Sequence, residues 1–254
     1  MDIQSHIAIV TGGGSGLGEA TARALAAQGA KVAVFDRNAS GAQRVADEIG
    51  GLAFTCDITD TASVNASLDA LQAQWGAPRI LMNVAGIGTA KRILDKTGQP
   101  APLEDFSKVV QINLIGTYNM TRLFAARCAQ QTPLADGERG VVLFTASVAA
   151  FDGQIGQQAY SASKGGITGM TLPMARDLAT HGIRVCAIAP GLFATPLMQQ
   201  LPAEVQSSLA QSIPFPKRLG APSEFAELAC HIVRNGHLNG EVIRLDGALR
   251  MAPR

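Results

Sequence analysis

Tyr160 and Lys164 stand four residues apart in the run Tyr160-Ser161-Ala162-Ser163-Lys164. On a helix that spacing places a phenol and an ammonium on one face. A free tyrosine titrates near pH ~10 and is a poor base at neutrality. A neighbouring cation favours the phenolate and moves the group toward proton transfer. Ser147, at the end of an apolar run, adds a hydroxyl able to polarise an oxygen. A Tyr-x-x-x-Lys pair alone is usually a surface pair, so its weight depends on the residues around it.

The first apolar run is followed by Thr11-Gly12-Gly13-Gly14-Ser15-Gly16-Leu17-Gly18 and then by an Ala-rich segment. Glycines between a strand and a helix permit a tight turn and close backbone approach, so that N–H groups at the helix start can meet a pyrophosphate. Gly12, Ser15, Gly16, Leu17 and Gly18 are the candidates. Asp36 ends the second apolar run, where a carboxylate can accept hydrogen bonds from an adenosine ribose or can be an exposed strand-end acid. Asp57-Ile58 follows the third run and could meet an adenine edge, or Asp57 could cap the helix that starts near Thr61.

These residues need elements to hold them. β-Branched, apolar runs at Ile7–Thr11, Lys31–Asp36, Leu52–Cys56, Arg79–Asn83, Val141–Ser147, Ile183–Ala189 and Glu241–Leu245 read as strands buried on both faces. Between them Gly18–Gln28, Ala39–Ile49, Thr61–Gln74, Leu103–Ala129, Ala159–Thr180 and Glu224–Arg234 carry helical spacing. The alternation predicts an α/β Rossmann fold over residues 1–254 as one domain, with a doubly wound, parallel, seven-stranded sheet and helices on both faces. Ligands bind beyond the carboxyl ends of such strands. The stretches 87–102 and 191–216, rich in Gly and Pro, read as binding loops.

Lys plus Arg (21) and Asp plus Glu (20) nearly cancel, leaving no basic field to collect nucleic acid. The widely spaced Cys56, Cys128, Cys186 and Cys230 read as free thiols, with no metal set near them. No apolar run approaches a membrane span. The first residues lead straight into the first strand, from which a cytoplasmic protein is expected.

Thr11–Gly18, Asn83-Val84-Ala85-Gly86, Asn113, Ser147, Tyr160, Lys164 and Pro190-Gly191 together resemble the short-chain dehydrogenase/reductase family across essentially the whole chain. The resemblance implies an oxidoreductase with a tetrad. Ser147 would polarise the substrate oxygen, Tyr160 exchange the proton, Lys164 hold the nicotinamide ribose and lower the tyrosine pKa, and Asn113 position a water relay. Val84 departs from the family, where many members have a second Asn.

Longer words, among them Ala146–Phe151, Gly165–Pro173, Ala189–Phe193 and Asn239–Ala248, resemble the type-2 3-hydroxyacyl-CoA dehydrogenase group of that family. This implies NAD as cofactor and (S)-3-hydroxyacyl-CoA thioesters as substrates. Ser15, Leu17, Asp36, Asp57, Ile58, Val84, Tyr160, Lys164, Phe193 and Thr195 would contact the cofactor. Ser147, Gln157 and Tyr160 would meet the substrate. Lys91, Arg92 and Lys96, in a loop shorter than the group's insertion, would either pair with CoA phosphates or form a solvated basic loop. A homotetramer is implied, with Gly165, Gly166 and Gly169 giving close helix contact. The alternatives are a 3-oxoacyl carrier-protein reductase using NADPH, against which Asp36 speaks, a hydroxysteroid dehydrogenase, or a non-catalytic nucleotide-binding scaffold.

Overall fold

Strands form where β-branched and large apolar residues run together: β1 (Ile7–Thr11), β2 (Lys31–Asp36), β3 (Leu52–Thr55), β4 (Ile80–Asn83), β5 (Gly140–Thr145), β6 (Ile183–Pro190) and β7 (Val242–Leu245). In the computed structural model, which describes residues 1–253, they make one parallel sheet in the order β3-β2-β1-β4-β5-β6-β7. The chain works outward from β1 to one edge, then returns to β4 and works to the other. That reversal opens a crevice at the carboxyl ends of β1 and β4.

The connecting helices are α1 (Gly16–Ala27), α2 (Ala39–Ile49), α3 (Thr61–Trp75), α4 (Leu103–Val110), α5 (Thr117–Cys128), α6 (Gln158–Ala179), α7 (Pro196–Gln199), α8 (Ala203–Ser212) and α9 (Pro222–Arg234). Each sheet face carries its own apolar layer. Val34 and its neighbours pack with Leu25, Val45 and Phe225 on one side; Phe35 packs with Leu68, Phe124 and Phe144 on the other. Consecutive strand residues thus enter opposite cores, which is why the strands read as unbroken apolar runs.

Three elements differ from the sequence reading. The helix expected over Leu103–Ala129 is interrupted by a π-helical turn, Gln111–Gly116, although its flanking residues keep helical dihedrals. An inserted residue of this kind has no signature in hydrophobic period and often marks a functional position. The stretch 191–216 holds α7 and α8 rather than loop alone. Its prolines start helices: Pro196 occupies the first turn of α7, and Pro202 precedes α8. Proline suits a helix start because its missing N–H would have no partner there. Finally, β5 stops at Thr145, short of Ser147.

Arg184, on β6, ties the far end of the fold. It donates to the carbonyls of Ile232 (2.9 Å), Val233 (2.7 Å), Asn235 (3.2 Å) and Leu238 (2.9 Å) around the end of α9, and to Glu138 Oε1 at 2.8 Å. A cation thereby meets carbonyls that a helix end leaves without partners. Replacing it with Met strips these carbonyls of their donor and leaves Glu138 with only the N-terminal ammonium, 2.7 Å from its Oε2, in a site where the arginine side chain is only 8% exposed. Arg184→Met should therefore cost roughly 3–5 kcal/mol of stability. Urea unfolding should show a lower midpoint with an unchanged slope, while the folded fraction keeps its activity; an unchanged midpoint would contradict the assignment.

Candidate active site

The crevice is a cleft of about 420 Å³ lined by Gly12, Ser15, Gly16, Leu17 and Gly18 from the first turn, by Asp36, Asp57 and Ile58 from the ends of β2 and β3, and by Val84 and Thr195. Two glycines are required by geometry. A Cβ on Gly18 would lie 2.1 Å from the Gly12 carbonyl oxygen, and one on Gly12 would lie 2.7 Å from Ala85 Cα. Strand, turn and helix can approach this closely only without side chains. Ser15 sits at the N-cap of α1 without making a side-chain cap. The first N–H groups of that helix, which have no intrahelical acceptors, are thus presented at the cleft wall.

At the other end of this half, Asp36 Oδ2 accepts from Gly14 N at 3.0 Å and Oδ1 accepts from Asn38 N at 2.9 Å. The carboxylate is fixed at the cleft wall with lone pairs to spare. Burial pushes the Asp57 carboxyl up, but Thr59 Oγ1 and N, together with Arg37, hold it below its ordinary value. Arg37 Nε lies 3.5 Å from Asp57 Oδ2. Thr11 Oγ1 accepts from Val84 N (3.1 Å) and Ala85 N (3.2 Å), so the stretch after β4 is anchored through its backbone. Position 84 needs no polar side chain for that.

The donors and shape fit a dinucleotide: a glycine cradle for a pyrophosphate, a carboxylate for a ribose and an apolar slot at Ile58 for a base. Three of the expected contacts, Tyr160, Lys164 and Phe193, do not line the cleft; the first two lie beyond the wall at Gly86, whereas Phe193 turns away. Its ring is buried, edge-on to Phe225 at 6.4 Å and against Gly220, and does not line the cleft. Ile87, Ile112 and Pro196 do line it and were not anticipated. Apolar residues give the same sequence signal whether they face a cleft or a core.

Ser147 precedes a short 3₁₀ turn, Val148–Ala150, and its Oγ accepts from Ala149 N at 3.1 Å. Tyr160 lies in the first turn of α6, and burial pushes its phenol above the ordinary value despite an opposing hydrogen bond with Ser147. Lys164, one turn on, is 5% exposed and donates to the Thr145 carbonyl at 2.6 Å. Its Nζ lies 5.8 Å from the Tyr160 ring centroid. Burial lowers its own pKa to about 8. The expected lowering of the tyrosine by this ammonium is therefore not what the protein alone displays: burial weakens both charges, and the lysine bond is directed at a carbonyl.

Asn113 sits in the π-helical turn. Its side chain accepts from Ile87 N (2.8 Å), donates to Ile87 O (2.9 Å) and donates to Ser163 Oγ (3.1 Å), which in turn donates to the Tyr160 carbonyl (2.8 Å). It clamps the cleft wall to the helix that bears Tyr160. Gly86, on that wall, marks the meeting point, since a Cβ there would be 3.1 Å from Asn113 Oδ1 and 3.6 Å from Lys164 Nζ. Gln157 stands at the N-cap position of α6 without a side-chain cap, its Oε1 accepting instead from Gln154 N at 3.0 Å. In the loop, Lys91 pairs with Asp105, whereas Arg92 and Lys96 are exposed and make no ion pair among the described residues.

The short chain dehydrogenase family model matches residues 6–206. The chain is 51% identical to the 3-hydroxyacyl-CoA dehydrogenase type-2 of Drosophila melanogaster, over 99% of this chain and 100% of that one. Among solved structures, 3-hydroxyacyl-CoA dehydrogenase type-2 from Mycobacterium avium superposes with a TM-score of 0.94 at 46% identity, covering 97% of this chain and 96% of the other. The 3-ketoacyl-(acyl-carrier-protein) reductase of Brucella melitensis, complexed with NADH, gives 0.85 at 32% identity, covering 98% and 100%.

The buried ammonium makes a prediction of its own. A lysine whose folded pKa is about 8 against an ordinary 10.5 destabilises the fold below pH 8, and that penalty fades as pH rises from 8 to 10.5, where the unfolded chain binds more protons. The shift corresponds to roughly 3 kcal/mol at neutral pH, partly offset by the lost bond to Thr145. Lys164→Met should raise the melting temperature of the cofactor-free protein at pH 7, with the gain shrinking toward pH 10, and should eliminate turnover. A variant equally destabilised at both pH values would contradict this.

Proposed function

The chain belongs to the short-chain dehydrogenase family and is an oxidoreductase, and from that premise we propose that it oxidises the 3-hydroxyl of (S)-3-hydroxyacyl-CoA thioesters, with NAD as cofactor. The observation that carries the reading is the junction at Gly86, where the glycine-lined cleft reaches Lys164 and Asn113, one helical turn from Tyr160. That the relatives matching nearly the full chain are 3-hydroxyacyl-CoA dehydrogenases supports the thioester class.

NAD, when bound, supplies the hydride acceptor. Ser15, Leu17 and the turn glycines would hold its pyrophosphate, Asp36 its adenosine ribose, and Asp57, Ile58, Val84 and Thr195 the remaining cleft contacts. The Ser147 hydroxyl donates a hydrogen bond to the substrate oxygen, leaving the alcohol proton aimed at Tyr160. The phenolate oxygen of Tyr160 takes that proton as the carbinol carbon gives up hydride. Lys164 holds the nicotinamide ribose, and Asn113 keeps the wall and the helix in register. Because the phenol is raised by burial, oxidation gains from alkaline conditions that populate the phenolate, while the protonated form is ready to donate in the reverse direction.

Carrier-protein reduction remains the reading to test against. The reductase that this chain resembles is itself complexed with NADH, so the cofactor does not separate the two activities. The substrate does. Turnover of 3-hydroxyacyl-CoAs of several chain lengths should exceed that of the same acyl groups on a carrier protein and of a steroid alcohol; preference for the carrier-protein thioester would overturn the proposal.

A homotetramer in the cytoplasm is part of the same reading. Supporting it, Gly165 and Gly169 of α6 face open space, while Leu172, Ile115, Tyr118 and Phe106 on and beside that helix are exposed. Gly166 is different: a Cβ there would meet Leu114 within the same chain at 2.6 Å.

Tyr160→Phe should lower kcat by ~10²–10⁴-fold and leave the NAD dissociation constant nearly unchanged, because the ring stays and only the proton-transfer oxygen goes. Retention of a substantial part of the parental kcat would remove Tyr160 from the mechanism. Asp36 should exclude NADP, since its carboxylate stands where a 2′-phosphate must go, while Arg37 is drawn toward Asp57. Discrimination on the order of 100-fold in kcat/KM is expected, from ~3 kcal/mol of repulsion and lost hydrogen bonds. Asp36→Ser should shrink it; equal use of NADP by the parent enzyme would contradict the assignment.

A further inference from the structure

Between Ser147 and Tyr160 the chain passes through residues 151–157, which belong to no strand or helix. A segment without a backbone ladder does not by itself hold two reacting groups in register. Residues distant in sequence hold it here. Arg244, on β7, donates Nη2 to Asp152 Oδ2 at 2.6 Å and Nη1 to Asp152 Oδ1 at 3.4 Å. Its Nε donates to Asp246 Oδ2 at 2.8 Å, and Nη2 also donates to the Leu249 carbonyl at 2.9 Å. The guanidinium carbon lies 5.2 Å from the Phe151 ring centroid. The two partners' side chains are only 20% and 18% exposed. An exposed pair would fix little, but a forked, largely covered arginine–carboxylate pair fixes an orientation. Its hydrogen bonds from Arg244 also hold the Asp152 carboxyl below the usual range, keeping the pair ionised through neutral pH.

The chain beyond β7 then doubles back over the same segment. Gln154 Nε2 donates to the Ala252 carbonyl at 2.9 Å, and Ile155 N donates to the Pro253 carbonyl at 3.0 Å. On the opposite flank, Lys91 N donates to the Gly156 carbonyl at 2.8 Å, and Gln158 Nε2 donates to the Lys91 carbonyl at 2.6 Å. The segment is pinned from both sides, immediately before the first turn of α6.

We infer that Arg244 is a positioning residue for the reaction: through Asp152, and with the tail 249–253, it fixes the segment joining the Ser147 hydroxyl to the Tyr160 phenol and so sets how both meet the substrate oxygen. This rests on the reading of Ser147 and Tyr160 given above. None of these contacts touches the glycine turn or Asp36, so the cofactor half of the cleft stands apart from the tie.

The test compares the parent with Arg244→Gln, Asp152→Asn, the double variant and a chain ending at Arg250. For each, kcat and KM are measured on one and the same alcohol, with the NAD dissociation constant from calorimetry and the melting temperature alongside. The two single variants should lose about ten- to a hundredfold in kcat, as a misplacement of reacting groups by an ångström does. NAD affinity should be unchanged. The double variant should be no worse than the poorer single variant, because either change cuts the same tie. The shortened chain should also lose kcat, by a smaller factor. A pair that only stabilised the fold would lower the melting temperature and leave kcat per folded molecule alone. Parental kcat in Asp152→Asn or in the shortened chain overturns the inference, as does a NAD affinity that falls in step with kcat. If Arg244→Gln does not fold, those two variants decide it by the same criteria. Ratios taken on a single alcohol are independent of whether the thioester class is right, and an active Tyr160→Phe would locate the failure in the underlying reading instead.

Discussion

An ammonium group enclosed by protein, with a main-chain carbonyl as its hydrogen-bond partner, is the constraint around which this molecule is arranged. Lys164 Nζ is held by Thr145 O at the last residue of β5, and burial brings its pKa down to about 8. Such a group costs stability unless something else needs it there. Its position requires that β5 end at Thr145 and that α6 pass close over that end. Tyr160 follows from the same arrangement, since the helix that delivers Lys164 carries the phenol one turn earlier. The fold thus accepts an unfavourable charge to place Lys164 and Tyr160 at the carboxyl edge of the sheet, as stability–function trade-offs commonly do.

The two halves of the cleft are built by different means. The glycine-lined half is made of backbone: a turn so close that a Cβ on Gly18 would lie 2.1 Å from the Gly12 carbonyl oxygen, a helix start and the main chain after β4 anchored on Thr11 Oγ1. The half bearing the reactive groups depends on side-chain ties between segments far apart in sequence. Asn113 links the wall at Ile87 to Ser163 and the Tyr160 carbonyl, and Arg244 links β7 to Asp152. Backbone geometry suits a ligand common to many enzymes. Side-chain ties and peripheral helices such as α8, which has no buried residue, can change without disturbing the cradle.

This division explains what the sequence could and could not reveal. The sheet was legible because strands buried on both faces appear as continuous apolar runs, and the glycine turn was legible because its spacing between strand and helix is rarely needed otherwise. The catalytic residues were legible only in combination. The π-helical turn was not: Gln111–Gly116 keeps helical dihedrals at its edges, and one extra residue leaves the apolar period almost unchanged. The prolines at 196 and 202 misled because proline signals a loop and a helix start equally well. Phe193 misled for a different reason, since a residue beside a cleft can turn its ring to the core, as the packing against Phe225 does here. Arg244 carried no signal as a tie, because its partner Asp152 lies on a distant segment with no spacing to mark the pair.

The distribution of charge along the cleft bears on how the reaction is controlled. At one end of the cleft the Asp36 and Asp57 carboxylates are held in place by backbone donors, Thr59 and Arg37. At the other end Tyr160 and Lys164 are shielded, and burial opposes the ionised form of each: the phenol is raised and the ammonium lowered. Opposed shifts of this sort carry the two past each other: the phenol rises above its ordinary value of 10.0 while the ammonium falls from 10.5 to about 8, so the lysine gives up its proton before the tyrosine does. An approaching cation would stabilise the phenolate and weaken the lysine's hold on its proton, whereas an anion would do the reverse. A charge brought into the cleft therefore shifts both groups, while Asp36 and Asp57 keep a fixed position on its wall.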